Sequence, residues 1–243
     1  MVLSESSLSL LGNISFSNFS LKNSYFLYSE ASNALISSLT IDFIGQNIDL
    51  YGFFLCFDDS SLKIGEFIMS SQPKTLESLI KLEGSEFFLR DFSIFQEIYG
   101  NFIVFHRSKG IFLNSVNILT GIYIEESFLV ISQSIIKNFL KSSAAFVSSR
   151  LYLLEVTMNN CDLSLILRDM IMIYIENTEF INNFDSFTIE IDNCNEILIN
   201  NSIFSNNNST HSGFLLEIHN SRQFFIRDSS FSNNSGFSSV IPY

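Results

Sequence analysis

Apolar and polar positions follow a phrase that returns about every 24 residues along the whole chain. It is clearest over Ile175–Asn182, Ile199–Asn206 and Ile226–Asn233, which read I-E-N-T-E-F-I-N, I-N-N-S-I-F-S-N and I-R-D-S-S-F-S-N. An aliphatic residue, two polar residues and a small or hydroxylated one precede a Phe, and Asn follows two places later. A period of this length marks stacked structural units. Aligned on the apolar residue near the end of the phrase, the anchors are Phe16, Ile41, Met69, Ile94, Ile118, Ile136, Met158, Phe180, Phe204 and Phe231, with steps of 25, 28, 25, 24, 18, 22, 22, 24 and 27 residues.

Five places before the anchors stand Leu11, Ile36, Ile64, Leu89, Leu113, Ile131, Leu153, Ile175, Ile199 and Ile226. Seven places before, the column is again apolar in all but Ser9. A separation of two is the period of one strand face. Three before the anchor every residue is polar (Asn13, Ser38, Glu66, Asp91, Ser115, Gln133, Glu155, Asn177, Asn201, Asp228), which suits a bend. A third apolar segment lies roughly thirteen residues before each anchor, as in Phe53–Phe57, Phe102–Phe105, Leu163–Leu167, Phe187–Ile191 and Phe214–Ile218. Glu190 and Glu217 hold the same outward place in two of these.

Three short strands and three turns per repeat predict an all-β chain: a right-handed parallel β-helix of about ten coils, residues 1–243 forming one domain. Ten coils at about 4.8 Å each give a rod roughly 48 Å long. Helical repeats would need a 3.6-residue period, which is absent. The anchor Phe residues should stack inside, each worth roughly 1.5–3 kcal/mol when fully buried. The Asn residues two after the anchor (Asn138, Asn160, Asn182, Asn206 and Asn233, with Asn18) are expected to take left-handed backbone and to hydrogen-bond the copies above and below.

On this periodicity the chain resembles the right-handed parallel β-helix superfamily that includes pectin lyases. The resemblance spans essentially the whole sequence and lies in the repeat, not in catalytic motifs. The F-x-x-N element (Phe180–Asn183, Phe204–Asn207, Phe231–Asn234) is also similar to repeats of polymorphic outer-membrane adhesins. Their companion G-G-A-[IL] element is missing, and Ser212-Gly213-Phe214 is the nearest approach. The superfamily resemblance implies a groove on the outside of the strands, with clustered Asp residues in the hydrolases, or calcium-binding acids with an Arg or Lys base in the lyases. The N-T-D, D-D, H-G and R-I-K set of the polygalacturonase-like hydrolases is absent. Asp58-Asp59 is the only Asp pair, expected in a loop pushed out of the longest repeat. Arg90-Asp91, Arg168-Asp169 and Arg227-Asp228 are too far apart along the rod to form one site, and read as surface ion pairs or corner hydrogen bonds. His106-Arg107-Ser108-Lys109 is a basic turn. His211 and His219 lack partners at metal-ligand spacing. No catalytic residue, metal or cofactor is assigned.

A net charge of −12, from 13 basic and 25 acidic residues, argues against a nucleic-acid partner. Cys161 and Cys194, 33 residues apart, are out of phase, and with Cys56 the cysteines are odd in number, so buried thiols are expected rather than a disulfide framework. No apolar run is long enough for a membrane span. The repeat begins in mid-phrase without a visible signal, which suggests a piece of a longer chain whose signal or anchor lies outside. Six N-x-[ST] sequons, at Asn13, Asn18, Asn200, Asn207, Asn208 and Asn233, permit secretion.

One column carries the functional expectation. Six before the anchor the side chain should point outward, and it reads Leu10, Leu35, Lys63, Phe88, Phe112, Val130, Tyr152, Tyr174, Leu198 and Phe225. A bare stripe of this kind is a contact surface. The candidate binding residues are Phe88, Phe112, Tyr152, Tyr174 and Phe225, with carbohydrate or another protein domain as partner. The sequence therefore suggests a non-catalytic extracellular or cell-surface module, a rigid scaffold and interaction surface. A pectin lyase-like carbohydrate-active enzyme is the alternative, and a degenerate intracellular repeat protein, cytoplasmic, is the third.

Overall fold

The computed structural model describes residues 2–5, 7–17, 27–42, 49–69, 75–94, 103–114, 122–137, 142–185, 188–209 and 215–235. Among these there are strands, turns and bends, and no helix. The chain is an all-β parallel solenoid. A 10-stranded first sheet runs from Val2–Ser4 to Leu216–His219. A second sheet, built from the strands that follow, runs from Ser7–Ser17 to Gln223–Arg227. A third side is a 5-stranded sheet of Ile135–Lys137, Thr157–Asn159, Glu179–Ile181, Ile203–Ser205 and Ser230–Ser232. Each strand pairs in parallel with its counterpart one repeat away, so the rod grows by one strand spacing, about 4.8 Å, per turn.

The anchors fall into two runs, each in continuous register. Phe16, Ile41, Met69 and Ile94 pair in sequence, as do Ile136, Met158, Phe180, Phe204 and Phe231. Ile118 lies outside the described residues. Ile136, Met158, Phe180 and Phe204 point inward and are fully buried, while Phe231, on the last described coil, is 41 % exposed. The rings of Phe180, Phe204 and Phe231 stack at 4.5 Å spacing, near the strand spacing that carries them. The inward pairs of the other two sheets close the core, for example Ile173 with Ile175 and Ile189 with Ile191.

The corners are built by left-handed residues. At the first corner these are Glu5, Ala31, Asp59, Gly84, Arg107, Glu126, Ser148, Asp169, Asn193 and Asn220, with φ between 43° and 57°. Their own N–H donates to the next coil's carbonyl, as from Asp59 to Glu83 at 2.9 Å and from Arg107 to Glu125 at 3.1 Å. The next N–H turns toward the interior, where no carbonyl reaches it. A column of buried serines receives it. The N–H groups of Ser32, Ser60, Ser85, Ser108 and Ser127 donate to the hydroxyls of Ser60, Ser85, Ser108, Ser127 and Ser149, at 2.9–3.1 Å. Each hydroxyl donates in turn to the carbonyl two residues before it. A buried N–H without a partner costs about 1–3 kcal/mol, so the hydroxyl column is what lets the corner be dry.

The third corner uses asparagine the same way, with a correction to the expected residues. Asn160, Asn182, Asn206 and Asn233 do hold left-handed backbone, but they are solvent-exposed. The stacked amides belong to the residues that follow, the last position of the F-x-x-N element. Asn183 and Asn207 are 0 % and 1 % exposed. Asn183 N–H donates to Asn207 Oδ1 at 3.0 Å, and Asn207 N–H to Asn234 Oδ1 at 3.0 Å. Their Nδ2 groups also donate to the carbonyls of Met158, Phe180 and Phe204. A side chain can satisfy the buried N–H only if it points inward, and the left-handed residue before it points out. Asn18 and Asn138 lie outside the described residues.

Three further expectations change. The polar corner before the anchor is left-handed at Asp91, Gln133, Glu155, Asn177, Asn201 and Asp228, and in the slipped repeat at Asn114, the expected Ser115 lying outside the described residues; at Asn13 (with a register irregularity between it and Leu10), Ser38 and Glu66 the strand continues through the position. There Gly65 lies directly on the Ser37 carbonyl, where a Cβ would come within 2.5 Å, and Ser38 donates to Glu66 at 2.9 Å. Asp58-Asp59 is no extruded loop: Asp58 ends its strand and Asp59 is the left-handed residue of an ordinary first corner. Finally, two repeats slip by one. Leu10 rather than Leu11 pairs with Ile36, and Phe112 rather than Leu113 pairs with Leu89. In the second case Gly110 takes the other inward place, where a Cβ would meet Leu129 and the Phe105 ring at 2.8 Å. The rings of Phe87, Phe105 and Phe112 meet edge to face over it, with centroids 5.4–6.2 Å apart. Phe112 fills the volume that the glycine leaves.

Asn207→Ala strands the Asn183 N–H and the Phe180 carbonyl and should destabilise the fold by about 2–5 kcal/mol in denaturant unfolding. Asn206→Gly, one residue away, should change stability by less than about 1 kcal/mol, since glycine accepts the same backbone. Cys161 occupies the position of the Asn column one coil before Asn183, with its N–H donating to Asn183 Oδ1 at 2.9 Å. Cys161→Asn extends the column and should raise stability by about 0.5–2 kcal/mol. An unchanged or lowered midpoint would show that the cysteine site cannot take the amide.

Candidate binding face

The outward face of the second sheet is where the sequence places its candidates. Register fixes the central column as Ser9, Leu35, Lys63, Phe88, Ile111, Val130, Tyr152, Tyr174, Leu198 and Phe225. Phe88, Tyr152, Tyr174 and Phe225 stand in it. Phe112 does not: it is fully buried, and the one-residue slip puts Ile111 in its place, 37 % exposed. Ile111-Phe112-Leu113 is apolar in either phase, so periodicity alone cannot choose between them. The signal that decides is Gly110, which leaves an inward gap. From Phe88 to Phe225 seven successive outward positions are apolar, a stripe about 29 Å long at 4.8 Å per strand.

Flanking columns widen it. Phe128 and Met172 lie on one side, Leu113 and Leu154 on the other. Phe128 and Tyr152 rings are 5.2 Å apart, and Tyr152 and Tyr174 rings 5.9 Å apart, both pairs tilted. Tyr152 O–H donates to Met172 Sδ at 3.1 Å. A hydrogen bond to Glu176 pushes the Tyr174 phenol above its ordinary value, so it remains a neutral donor. Arg227 lies 5.7 Å over the Phe225 ring. Toward the other end a cleft of about 350 Å³ is lined by Lys63, Glu86, Phe88, Lys109, Ile111 and Phe128. Lys109 and Glu86 close on each other at 3.1 Å.

The other candidates have structural roles. Arg90 pairs with Asp91 at 3.1 Å on the surface. Arg168 pairs with Glu190 at 3.1 Å, while Asp169 accepts from Asn193 across one coil. The basic turn is neutralised by the coil before it: Arg107 and His106 reach Glu83 at 2.6 and 3.0 Å, and these hydrogen bonds, that of Arg107 foremost, hold the Glu83 carboxyl below its usual range. His219 lies 2.7 Å from Glu217, and His211 is outside the described residues. Among the described residues no group of three or more His, Cys, Asp or Glu could hold a metal ion. Nor, among them, is any helix long and apolar enough to cross a membrane.

All three cysteines are buried and free. Cys161 stands in the asparagine column and Cys194 at the serine corner, its N–H 3.4 Å from Ser221 Oγ. Both substitute for side chains that satisfy a corner. A scan against protein-family models gives no match to the chain, and a search of curated proteins gives none either.

Burial pushes the Cys194 thiol from 9.0 up to about 11. The folded state then holds its proton where the unfolded chain releases it. Its contribution to stability is complete below pH 9 and is lost as pH rises toward 11. Unfolding midpoints should fall across that window, and Cys194→Ser should flatten part of the fall. A disulfide-exchange reagent at pH 8 should label Cys194 only at the rate of unfolding.

Proposed function

We propose that this chain is a non-catalytic scaffold of the pectin lyase-like β-helix kind, working at the cell surface or outside the cell, with the outward stripe of the second sheet as its interaction surface. One observation carries the reading: a parallel sheet presents Phe88, Ile111, Val130, Tyr152, Tyr174, Leu198 and Phe225 in one outward line. Outward positions of a sheet facing water are ordinarily polar, and contiguous apolar patches mark contact sites. The solenoid makes the face rigid, because every strand of it is paired on both sides except at the ends. A rigid face loses little conformational freedom on binding.

The partner is a glycan, stacked on the tyrosine end. Tyr152 and Tyr174 offer ring faces one strand spacing apart together with hydroxyl groups at their edges, the combination that a pyranose ring with its hydroxyls requires. The exposed sequon residues Asn208 and Asn233 fit a secreted setting, whereas Asn207 is committed to the core.

Tyr152→Ser combined with Tyr174→Ser should remove glycan binding on an array or in affinity electrophoresis while far-ultraviolet dichroism stays unchanged. Binding that persists in the folded double variant rules the stripe out. Release of reducing ends or unsaturated sugars from a polysaccharide panel would replace the scaffold reading with the enzymatic one.

A further inference from the structure

At the end of the stripe opposite the paired tyrosines, the cleft over Phe88, Ile111 and Phe128 has a different chemistry. Its floor carries no polar side-chain atom, unlike Tyr152 and Tyr174. Its rim holds two ammonium groups, Lys63 and Lys109, against one carboxylate, Glu86. Lys109 is engaged by Glu86 at 3.1 Å. Among the described residues Lys63 has no hydrogen-bonding or ion-pair partner. It stands in the same outward column as Phe88 and Ile111, one and two strand spacings from them. In a chain of net charge −12 this is a local excess of positive charge at the mouth of an apolar trough.

We infer that this cleft binds an amphiphile with an acyl tail and a carboxylate head, the head on Lys63 and the tail along Phe88, Ile111 and Phe128 toward Val130. The volume, about 350 Å³, is within the range of small-molecule sites, roughly 300–1,000 Å³. The size of the face argues against a protein there. Three side-chain columns span about 13 Å across the strands, and with a length of about 29 Å the whole face, its polar flanking positions such as Arg150, Ser132 and Glu176 included, covers on the order of 400 Å², half of what each partner gives to a standard protein interface. An extended chain one methylene wide suits a trough of that shape. Charge sets the direction: an ammonium that makes no ion pair, on a rim whose one carboxylate is taken by Lys109, selects an anionic head and disfavours a cationic one. The assignment does not rest on the glycan reading, since it uses different residues and a different ligand.

The test is calorimetric titration of the chain with dodecanoate below its micelle concentration, and in parallel with dodecyltrimethylammonium. Dodecanoate should saturate near one molecule per chain and bind at least about tenfold more tightly than the cationic amphiphile. Lys63→Glu should weaken dodecanoate about tenfold, and Ile111→Asp should abolish it, with dichroism and unfolding midpoint confirming the fold. Lys137→Glu makes the same charge change on the third side of the rod and should leave binding unaltered. Equal binding of the two amphiphiles, or unaltered affinity in folded Lys63→Glu, would overturn the assignment and leave only a non-specific apolar face.

Discussion

The backbone N–H just inside each left-handed corner has to find an acceptor that the backbone cannot supply. A solenoid turn reverses direction through a residue near φ 50°, and the amide after it faces the dry interior. Along the straight strands the next coil offers a carbonyl at every step. At the corner the carbonyls diverge, and a short inward side chain takes over. Serine does this at the first corner, Thr178, Ser202 and Ser229 at the second, and Asn183, Asn207 and Asn234 at the third. The solution is cooperative, because each acceptor belongs to the neighbouring coil. Removing one side chain unsatisfies a group that it does not itself carry. The columns therefore tie coils together alongside the apolar core, and with sharper register, because a hydroxyl one residue out of place faces water.

That constraint explains what the sequence could reveal. Strand periodicity depends on many apolar residues and tolerates a local error, so the parallel solenoid and, along the described coils, the anchor column were legible. The corner columns depend on one small residue per coil. Ser32, Ser60, Ser85, Ser108, Ser127 and Ser149 recur in the right phase, but they are hidden among the 41 serines of the chain, and nothing in the side chain advertises burial. The asparagines were visible as a column, yet the choice between the exposed left-handed residue and the buried amide beside it needs the direction of each side chain. Asn206 and Asn207 read alike in one dimension and are opposite in three.

The slip at Gly110 has the same origin. A run such as Ile111-Phe112-Leu113 satisfies an apolar pattern in either phase, and the missing side chain of the residue before it sets the answer. The Phe105 ring needs the space, Gly110 leaves it, and Phe112 must then turn inward beside Phe87. Moving Phe112 inward also turns Ile111 outward. A packing decision inside the rod thereby fixes what its surface shows, and it exchanges an aromatic ring for an aliphatic side chain at the centre of the cleft.

This coupling makes the outward face of the second sheet a consequence of the columns beneath it. Alternation gives each five-residue strand three outward positions around its inward pair, and the hydrogen-bonded corners hold successive strands in one register. Side chains that are unremarkable singly then line up at one strand spacing. The tyrosine end gains rings with hydroxyl edges, while the cleft end gains an oily floor and an unpaired ammonium. A flexible loop could offer the same residues but would have to order them on binding, at a cost of about 0.5–1.5 kcal/mol for each side chain immobilised. In the solenoid the backbone that carries these side chains is already ordered in the free chain, and the buried serine and asparagine columns help to maintain it.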